Sequence, residues 1–239
     1  IRIEIDPEQM LCNRVPDLPL LGDSAAILDE LLRRTVQAPG GRRGVARSDA
    51  ARRAAFAELS PAMQRQVAFL NAIRDALPEA LIGGDSTQAV YAGNLYFEPA
   101  SSMGWFNSAT GYGTLGYALP AAIGAKLGAP DRPVICLAGD GGLQFTIGEL
   151  SSAIDAGTPV IALIWNNKGY GEIKSYMQER GIAPAGVDLA TPDFCAVANA
   201  YGWTAERLDT RANLPRLLQA AAARSGPTLI EIHEQVVMD

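Results

Sequence analysis

The sequence has 239 residues, 48% of them apolar and 19% charged, which supports a sizeable core and excludes a disordered chain. Its 20 basic and 26 acidic side chains leave a net charge of −6, which argues against a nucleic-acid or anionic-membrane binder, normally a basic protein. Three scattered cysteines (Cys12, Cys136 and Cys195) make neither a disulfide framework nor a zinc site, and they fit a reducing, cytoplasmic setting. No apolar run approaches the length of a membrane span. No signal peptide is visible, although a chain opening on Ile1 rather than Met says little about targeting.

From the N-terminus, Ile1-Arg2-Ile3-Glu4-Ile5-Asp6-Pro7 alternates apolar and polar residues, which predicts a half-buried strand ended by proline. The next pattern predicts a short helix over residues 24–34, capped by Asp23 or Ser24, with Ile27, Leu28, Leu31 and Leu32 on one face. The opening strand needs neighbours and none follows directly, so residues 1–34 read as the remnant of an upstream domain. Residues 35–57 read as a linker, with Pro39-Gly40-Gly41 and few large apolar side chains. Arg33, Arg34, Arg42, Arg43, Arg47, Arg52 and Arg53 crowd this stretch; they suit an anionic docking site or, in an acidic protein, a solvated connector.

From residue 58 the pattern becomes regular. Ser60-Pro61 starts a helix, with the hydroxyl as cap and proline in the first turn. Met63, Val67, Leu70, Ile73 and Leu77 carry its apolar period, and Pro78 ends it. Four apolar runs then read as strands: Ala80–Ile82, Val134–Ala138, Val160–Trp165 and Thr228–Ile232. Helical patterns lie between them at residues 115–127, 147–156, 193–201 and 214–223. Near-continuous apolar strands alternating with helices predict an α/β fold, a doubly wound and mostly parallel sheet with helices on both faces.

Ligands of such sheets bind at the carboxyl ends of the strands. There the sequence places Gly83-Gly84-Asp85-Ser86-Thr87-Gln88, Gly139-Asp140-Gly141-Gly142 and Asn166-Asn167-Lys168-Gly169-Tyr170-Gly171. The second and third segments belong to one strand–helix–strand unit, so Asp140 and Asn167 leave neighbouring strand tips on the same side. A carboxylate, an amide oxygen and a backbone carbonyl are hard ligands suited to Mg²⁺ or Ca²⁺, with phosphate oxygens completing the shell. The glycines let backbone approach an anion closely, and the following helix aims its N-terminus at it. The residues alone therefore propose a metal-bridged diphosphate site.

Gly139-Asp140-Gly141, 24 residues and then Asn166-Asn167 resembles the fingerprint of the thiamine diphosphate-dependent enzymes. The resemblance implies that Asp140 and Asn167 ligate Mg²⁺ by side chain and Gly169 by its carbonyl. The stretch from Gly111 to Gly124 contains Gly111-x-Gly113-x-x-Gly116, superficially a dinucleotide fingerprint, but Trp105–Thr110 before it is not a clean buried strand. It is more similar to the cofactor-bending segment of thiamine diphosphate decarboxylases and synthases. That likeness implies that Leu115 wedges the cofactor into a V, with the Gly113 carbonyl and the Leu115 amide on its aminopyrimidine and Thr114 beside them. Asp85-Ser86-Thr87-Gln88 resembles the first diphosphate loop, with Ser86 and Thr87 as hydroxyl donors. Gly139, Gly141, Gly142, Tyr170 and Gly171 complete the implied cofactor site. Many relatives have a serine where this chain has Gly142, and pyruvate decarboxylases have a glutamate where it has Ile173, with Glu172 next door and expected to point elsewhere.

Residues 58–239 thus look like the diphosphate-binding domain of the acetolactate synthase, benzoylformate decarboxylase and pyruvate decarboxylase group, and residues 1–34 like the end of its central domain. The run from Tyr170 to Ile182, with Gly186-Val-Asp-Leu and Thr191-Pro-Asp-Phe, most resembles 5-guanidino-2-oxopentanoate decarboxylases. The resemblance implies non-oxidative decarboxylation of a 2-oxo acid in a homo-oligomer, or else an acetolactate synthase-type carboligation. It places the activating glutamate in a separate N-terminal domain, outside this chain, so that these residues alone would turn over little. His233, the only histidine, lies past the last strand, which excludes Ser–His–Asp machinery at the predicted rim. Rival readings are a nicotinamide or flavin dinucleotide domain, which leaves Asp140 and Asn167 unexplained, and a non-catalytic assembly module that keeps the site only as structure.

Overall fold

The computed structural model describes residues 1–35 and 43–238. It divides into two units, Ile1–Arg52 and Arg53–Asp239. In the first, β1 (Arg2–Glu4) pairs in parallel with β2 (Pro19–Leu21), Ile3 opposite Leu20. The opening strand therefore finds a neighbour, contrary to the sequence reading; three residues that begin with a proline carry too little pattern to announce a strand. Helix α1 (Ser24–Arg34) is capped by Asp23, whose carboxylate accepts from the Ala26 N–H at 2.9 Å.

Helix α2 (Arg43–Glu58) occupies most of the stretch that reads as a linker. Its alanines and arginines are strong helix formers, but it has no apolar stripe for a pattern search to find. Pro39-Gly40-Gly41 and Arg42 lie outside the described residues.

In the second unit, α3 (Pro61–Ala76) starts at Ser60, whose hydroxyl accepts from the Met63 N–H at 3.2 Å. There follow β3 (Leu81–Gly84), α4 (Gln88–Tyr96), β4 (Trp105–Asn107), α5 (Ala118–Gly128) and β5 (Val134–Gly139). Next come α6 (Asp140–Phe145), α7 (Glu149–Asp155), β6 (Ile161–Asn166), α8 (Gly171–Glu179) and α9 (Phe194–Ala200). The unit ends with β7 (Thr204–Arg207), α10 (Leu214–Ala222), β8 (Thr228–His233) and α11 (Glu234–Met238). The six strands form one wholly parallel sheet in the order β4-β3-β5-β6-β8-β7. The four apolar runs are its central strands; the edges β4 and β7 are additional.

Trp105–Asn107 is thus a short edge strand, only half-buried at Trp105 and Phe106, in keeping with the reading that the stretch is not a clean buried strand. Backbone pairing with β3 makes it one, and the Trp105 Nε1–H donates to Asn94 Oδ1 of α4 at 2.9 Å. Alternate side chains of each central strand face opposite layers. Ile135, Leu137, Leu163 and Trp165 pack with Phe69 and Ile73 of α3, Val90 of α4 and Leu218 of α10. Val134, Cys136, Ala162 and Ile164 pack with Leu119 of α5, Leu150 of α7 and Phe194 of α9. The sheet is doubly wound.

This winding fixes where a crevice opens. The chain leaves β3 through α4, in one helix layer, and leaves β5 through α6 and α7, in the other. Two adjacent strands whose connections diverge to opposite faces define a topological switch point, open at their carboxyl ends.

Candidate active site

A cavity of about 280 Å³ lies at the carboxyl ends of β3, β5 and β6. From the β3 tip it is lined by Ser86, Thr87, Gln88 and Tyr91, and from the loop before α5 by Gly113 and Leu115. The β5 tip contributes Gly139, Asp140, Gly141 and Gly142. The β6 side contributes Asn167, Gly169, Tyr170, Gly171, Glu172 and Ile173. Of the cofactor residues expected from the sequence, Thr114 alone is absent from this lining; it is exposed.

Register explains why the β5 and β6 residues meet. Gly139 stands opposite Trp165, so Asp140 and Asn167 emerge almost level. Asp140 is 1% exposed, and its Oδ2 accepts from the Gly169 N–H at 2.9 Å. Burial pushes its pKa up against the pull of the backbone N–H groups of Gly141 and Gly169. The side-chain amide of Asn167 directs one terminal atom at Asp140 Oδ1, 3.3 Å away, and at the Gly169 carbonyl oxygen, 2.8 Å away. Turned nitrogen-first, the amide donates to both oxygens; turned oxygen-first, three oxygens converge. Such a set has room for either a proton donor or a hard cation among its members, which fits Mg²⁺.

The loop carrying this set is held tightly. Asn166 Oδ1 accepts from the Lys168 N–H at 3.1 Å, closing a turn in which Lys168 takes a φ of +61°. The Tyr170 N–H donates to the Val187 carbonyl at 2.8 Å and the Leu189 N–H to the Lys168 carbonyl at 3.0 Å. A Cβ on Gly169 would sit 2.2 Å from the Val187 carbonyl oxygen, so only glycine fits between the loop and its clamp.

Sequence reasoning passed over Asp85 as a site residue. It is 1% exposed. Its Oδ1 accepts from the Ser86 N–H at 2.8 Å and its Oδ2 from the Gly116 N–H at 2.7 Å. The Tyr117 and Ala118 backbone N–H groups, at the start of α5, also favour its charge, while burial, the largest effect, pushes its pKa up. Asp85 thus ties the β3 tip to the segment holding Gly113 and Leu115. It also accounts for Gly142: a Cβ there would lie 2.8 Å from Asp85 Oδ2. The only sequence signal was a buried-strand aspartate followed by two hydroxyl residues.

The Ser86 hydroxyl lies 3.1 Å from that of Ser108 and donates to the Gly113 carbonyl at 3.3 Å. Thr87 is buried and makes no capping bond at the start of α4, and Leu115 is half-buried. Glu172 is exposed yet lines the cavity together with Ile173. Burial first, and then the Glu172 carboxylate, push the Tyr91 phenol up. Glu172 thus stands at the cavity, in the first turn of α8. Among the described residues it has no salt-bridge partner. His233, at the end of β8, is not among the lining residues.

Residues 85–232 match the thiamine pyrophosphate enzyme C-terminal TPP binding domain, TPP being thiamine pyrophosphate, or diphosphate. The chain is 41% identical over 97% of its length to a probable 2-ketoarginine decarboxylase of Pseudomonas aeruginosa, covering 42% of that protein. It is 33% identical over 98% of its length to an acetolactate synthase large subunit of Parasynechococcus marenigrum, covering 39% of it. A thiamine diphosphate-dependent 4-hydroxybenzoylformate decarboxylase of Rhodococcus jostii superposes with a TM-score of 0.62 at 31% identity, over 73% of this chain and 32% of that one. The chain thus spans about two fifths of the length of the curated relatives it matches. The dinucleotide reading of Gly111–Gly116 falls, since those glycines lie inside the matched domain. This chain belongs to the thiamine pyrophosphate enzymes, and residues 85–232 are their C-terminal, cofactor-binding domain.

Proposed function

We propose that the whole protein is a thiamine diphosphate- and Mg²⁺-dependent 2-oxo acid decarboxylase, with 5-guanidino-2-oxopentanoate (2-ketoarginine) as its substrate. The observation that carries the metal site is the convergence of Asp140 Oδ1, the Asn167 amide and the Gly169 carbonyl within 3.3 Å. Asp140, Asn167 and Gly169 would hold the metal. The backbone of Gly139, Gly141 and Gly142, with the hydroxyls of Ser86 and Thr87, would receive the diphosphate beside the start of α6. Leu115 would hold the cofactor bent, with the Gly113 carbonyl and Leu115 amide on its ring, and Thr114, Tyr170 and Gly171 would flank it. When bound, the cofactor supplies the nucleophilic carbon and the electron sink that release carbon dioxide from a 2-oxo acid. No glutamate of this chain is assigned the activating role, which we expect elsewhere in the whole protein.

The substrate assignment is supported by the 41% identical relative and by Glu172. A carboxylate at the cavity with no salt-bridge partner among the described residues suits a guanidinium, which it can pair through two hydrogen bonds. We further infer a homo-oligomer, as the family resemblance implies, and a cytoplasmic setting, in keeping with three free thiols. No described helix is long and apolar enough to cross a membrane.

Calorimetric titration of the full-length protein with thiamine diphosphate tests the site. Uptake should require Mg²⁺, vanish with EDTA and vanish in Asp140→Ala; metal-independent uptake would sink the reading. Carbon dioxide release should then favour the guanidino acid over pyruvate. Glu172→Gln should lower kcat/KM for the guanidino acid about tenfold, about 1.4 kcal/mol, and leave a neutral 2-oxo acid unaffected. The acetolactate synthase relatives keep carboligation as the second reading, and a product joining two oxo acids would establish it.

A further inference from the structure

We infer that Glu231, on β8 and outside the cavity, is a positioning residue that sets the metal-binding loop through Asn166. Glu231 is 2% exposed. Its Oε1 accepts from Asn166 Nδ2 at 2.8 Å and its Oε2 from Arg207 Nε at 2.8 Å. Residues Asn166 and His233 are register partners across β6 and β8, with His233 Nε2 3.9 Å from Glu231 Oε1. The Cys195 thiol approaches Oε2 at 3.7 Å.

The bond to Glu231 fixes which way the Asn166 amide faces. With its nitrogen held by Glu231, its oxygen is left to accept from the Lys168 N–H. That acceptor holds Lys168 at φ +61°, a conformation that long side chains rarely adopt. The same turn delivers the Asn167 amide, the Gly169 N–H bonded to Asp140, and the Gly169 carbonyl. A buried carboxylate on one strand thereby orients three members of the site through one amide of the neighbouring strand.

Asp193, Cys195 and Glu231 offer ligand atoms within 4.8 Å of one another, but this is not a second metal centre. The Arg207 guanidinium already bridges Asp193 Oδ1 at 2.7 Å and Glu231 Oε2 at 2.8 Å. It thus already fills the space between the two carboxyl groups and pairs with both.

The inference rests on the metal-site reading above, and its test keeps the two apart. Mg²⁺-dependent thiamine diphosphate uptake is measured calorimetrically on the full-length protein. Glu231→Met, of similar volume but without an acceptor, should weaken uptake about tenfold or more, the usual loss when a group orienting a metal ligand is removed. Glu231→Gln still offers an oxygen to Asn166 and should restore near-native affinity, although its melting temperature falls. In an Asn166→Ala background, Glu231→Met should cause no further loss. A folded Glu231→Met with native affinity overturns the inference, as do equal losses in Met and Gln or additive losses with Asn166→Ala. If the unmutated protein takes up cofactor without Mg²⁺, the metal-site reading itself fails.

Discussion

Asp85 and Asp140 are buried carboxylates whose charges the fold only partly satisfies, and the cost of holding them points to what they are for. Both have raised pKa values, chiefly through burial. Each therefore stabilises the folded state most below the unfolded value near 3.9, and that contribution is lost as pH rises through the folded value. Burial opposes the charged form of Asp140, a cost that a bound cation would relieve. Asp140→Asn should thus melt no lower than the unmutated protein in EDTA, and its advantage should grow as pH rises from the unfolded carboxylate value through the raised folded one. With Mg²⁺ and thiamine diphosphate the order should reverse. Thermal melts of both proteins across that range check this, and a variant that melts lower in EDTA at every pH would sink it. Gly142→Ser gives a second expectation at this scale. The new Cβ falls 2.8 Å from Asp85 Oδ2, an oxygen already held by the Gly116 N–H. The substitution should cost about 1–3 kcal/mol in urea denaturation rather than improve cofactor binding by adding a hydroxyl. The sequence comparison counted Gly142 as a missing contact, because Asp85 and residue 142 are far apart in the chain and only the fold brings them together.

Among the elements, legibility followed burial. The strands β3, β5, β6 and β8 are buried nearly throughout, so their apolar runs announce them. The β7 segment, Thr204–Arg207, is exposed at both ends, and β2 and β4 have three residues each; partners elsewhere in the chain make these strands. Helix α8 has no buried residue, so its sequence reads as the continuation of a binding loop, and Glu172 could not be oriented without it. The glycines, Asp140 and Asn167 were readable because a parallel sheet forces its polar tips onto one rim. Caps were readable too, and one can be tested apart from the site. Ser60 caps α3, which packs Phe69, Leu70 and Ile73 into the core. Ser60→Ala should cost about 1 kcal/mol and lower the melting temperature by about 2–4 °C, with Mg²⁺-dependent cofactor affinity unchanged. A loss of affinity would mean that α3 reaches the site.

At the scale of the sheet, the site exists because β3 and β5 send their connections to opposite faces. A ligand in that crevice must be gripped from both sides: by residues 85–88 and 113–117 on the β3 side, and by residues 139–142 and 167–171 on the β5–β6 side. Binding to the folded form alone stabilises it by about 2.7 kcal/mol at one hundred times Kd, and amides that exchange through opening of the crevice should share that protection. Hydrogen exchange of the full-length protein should therefore slow in all four segments together when thiamine diphosphate and Mg²⁺ are added. Mg²⁺ alone should protect only residues 139–142 and 167–171, where Asp140, Asn167 and Gly169 lie. If the complete cofactor also protected only those two segments, the diphosphate would sit on the metal loop without spanning the switch point, and Ser86, Thr87, Gly113 and Leu115 would lose their assigned part in binding.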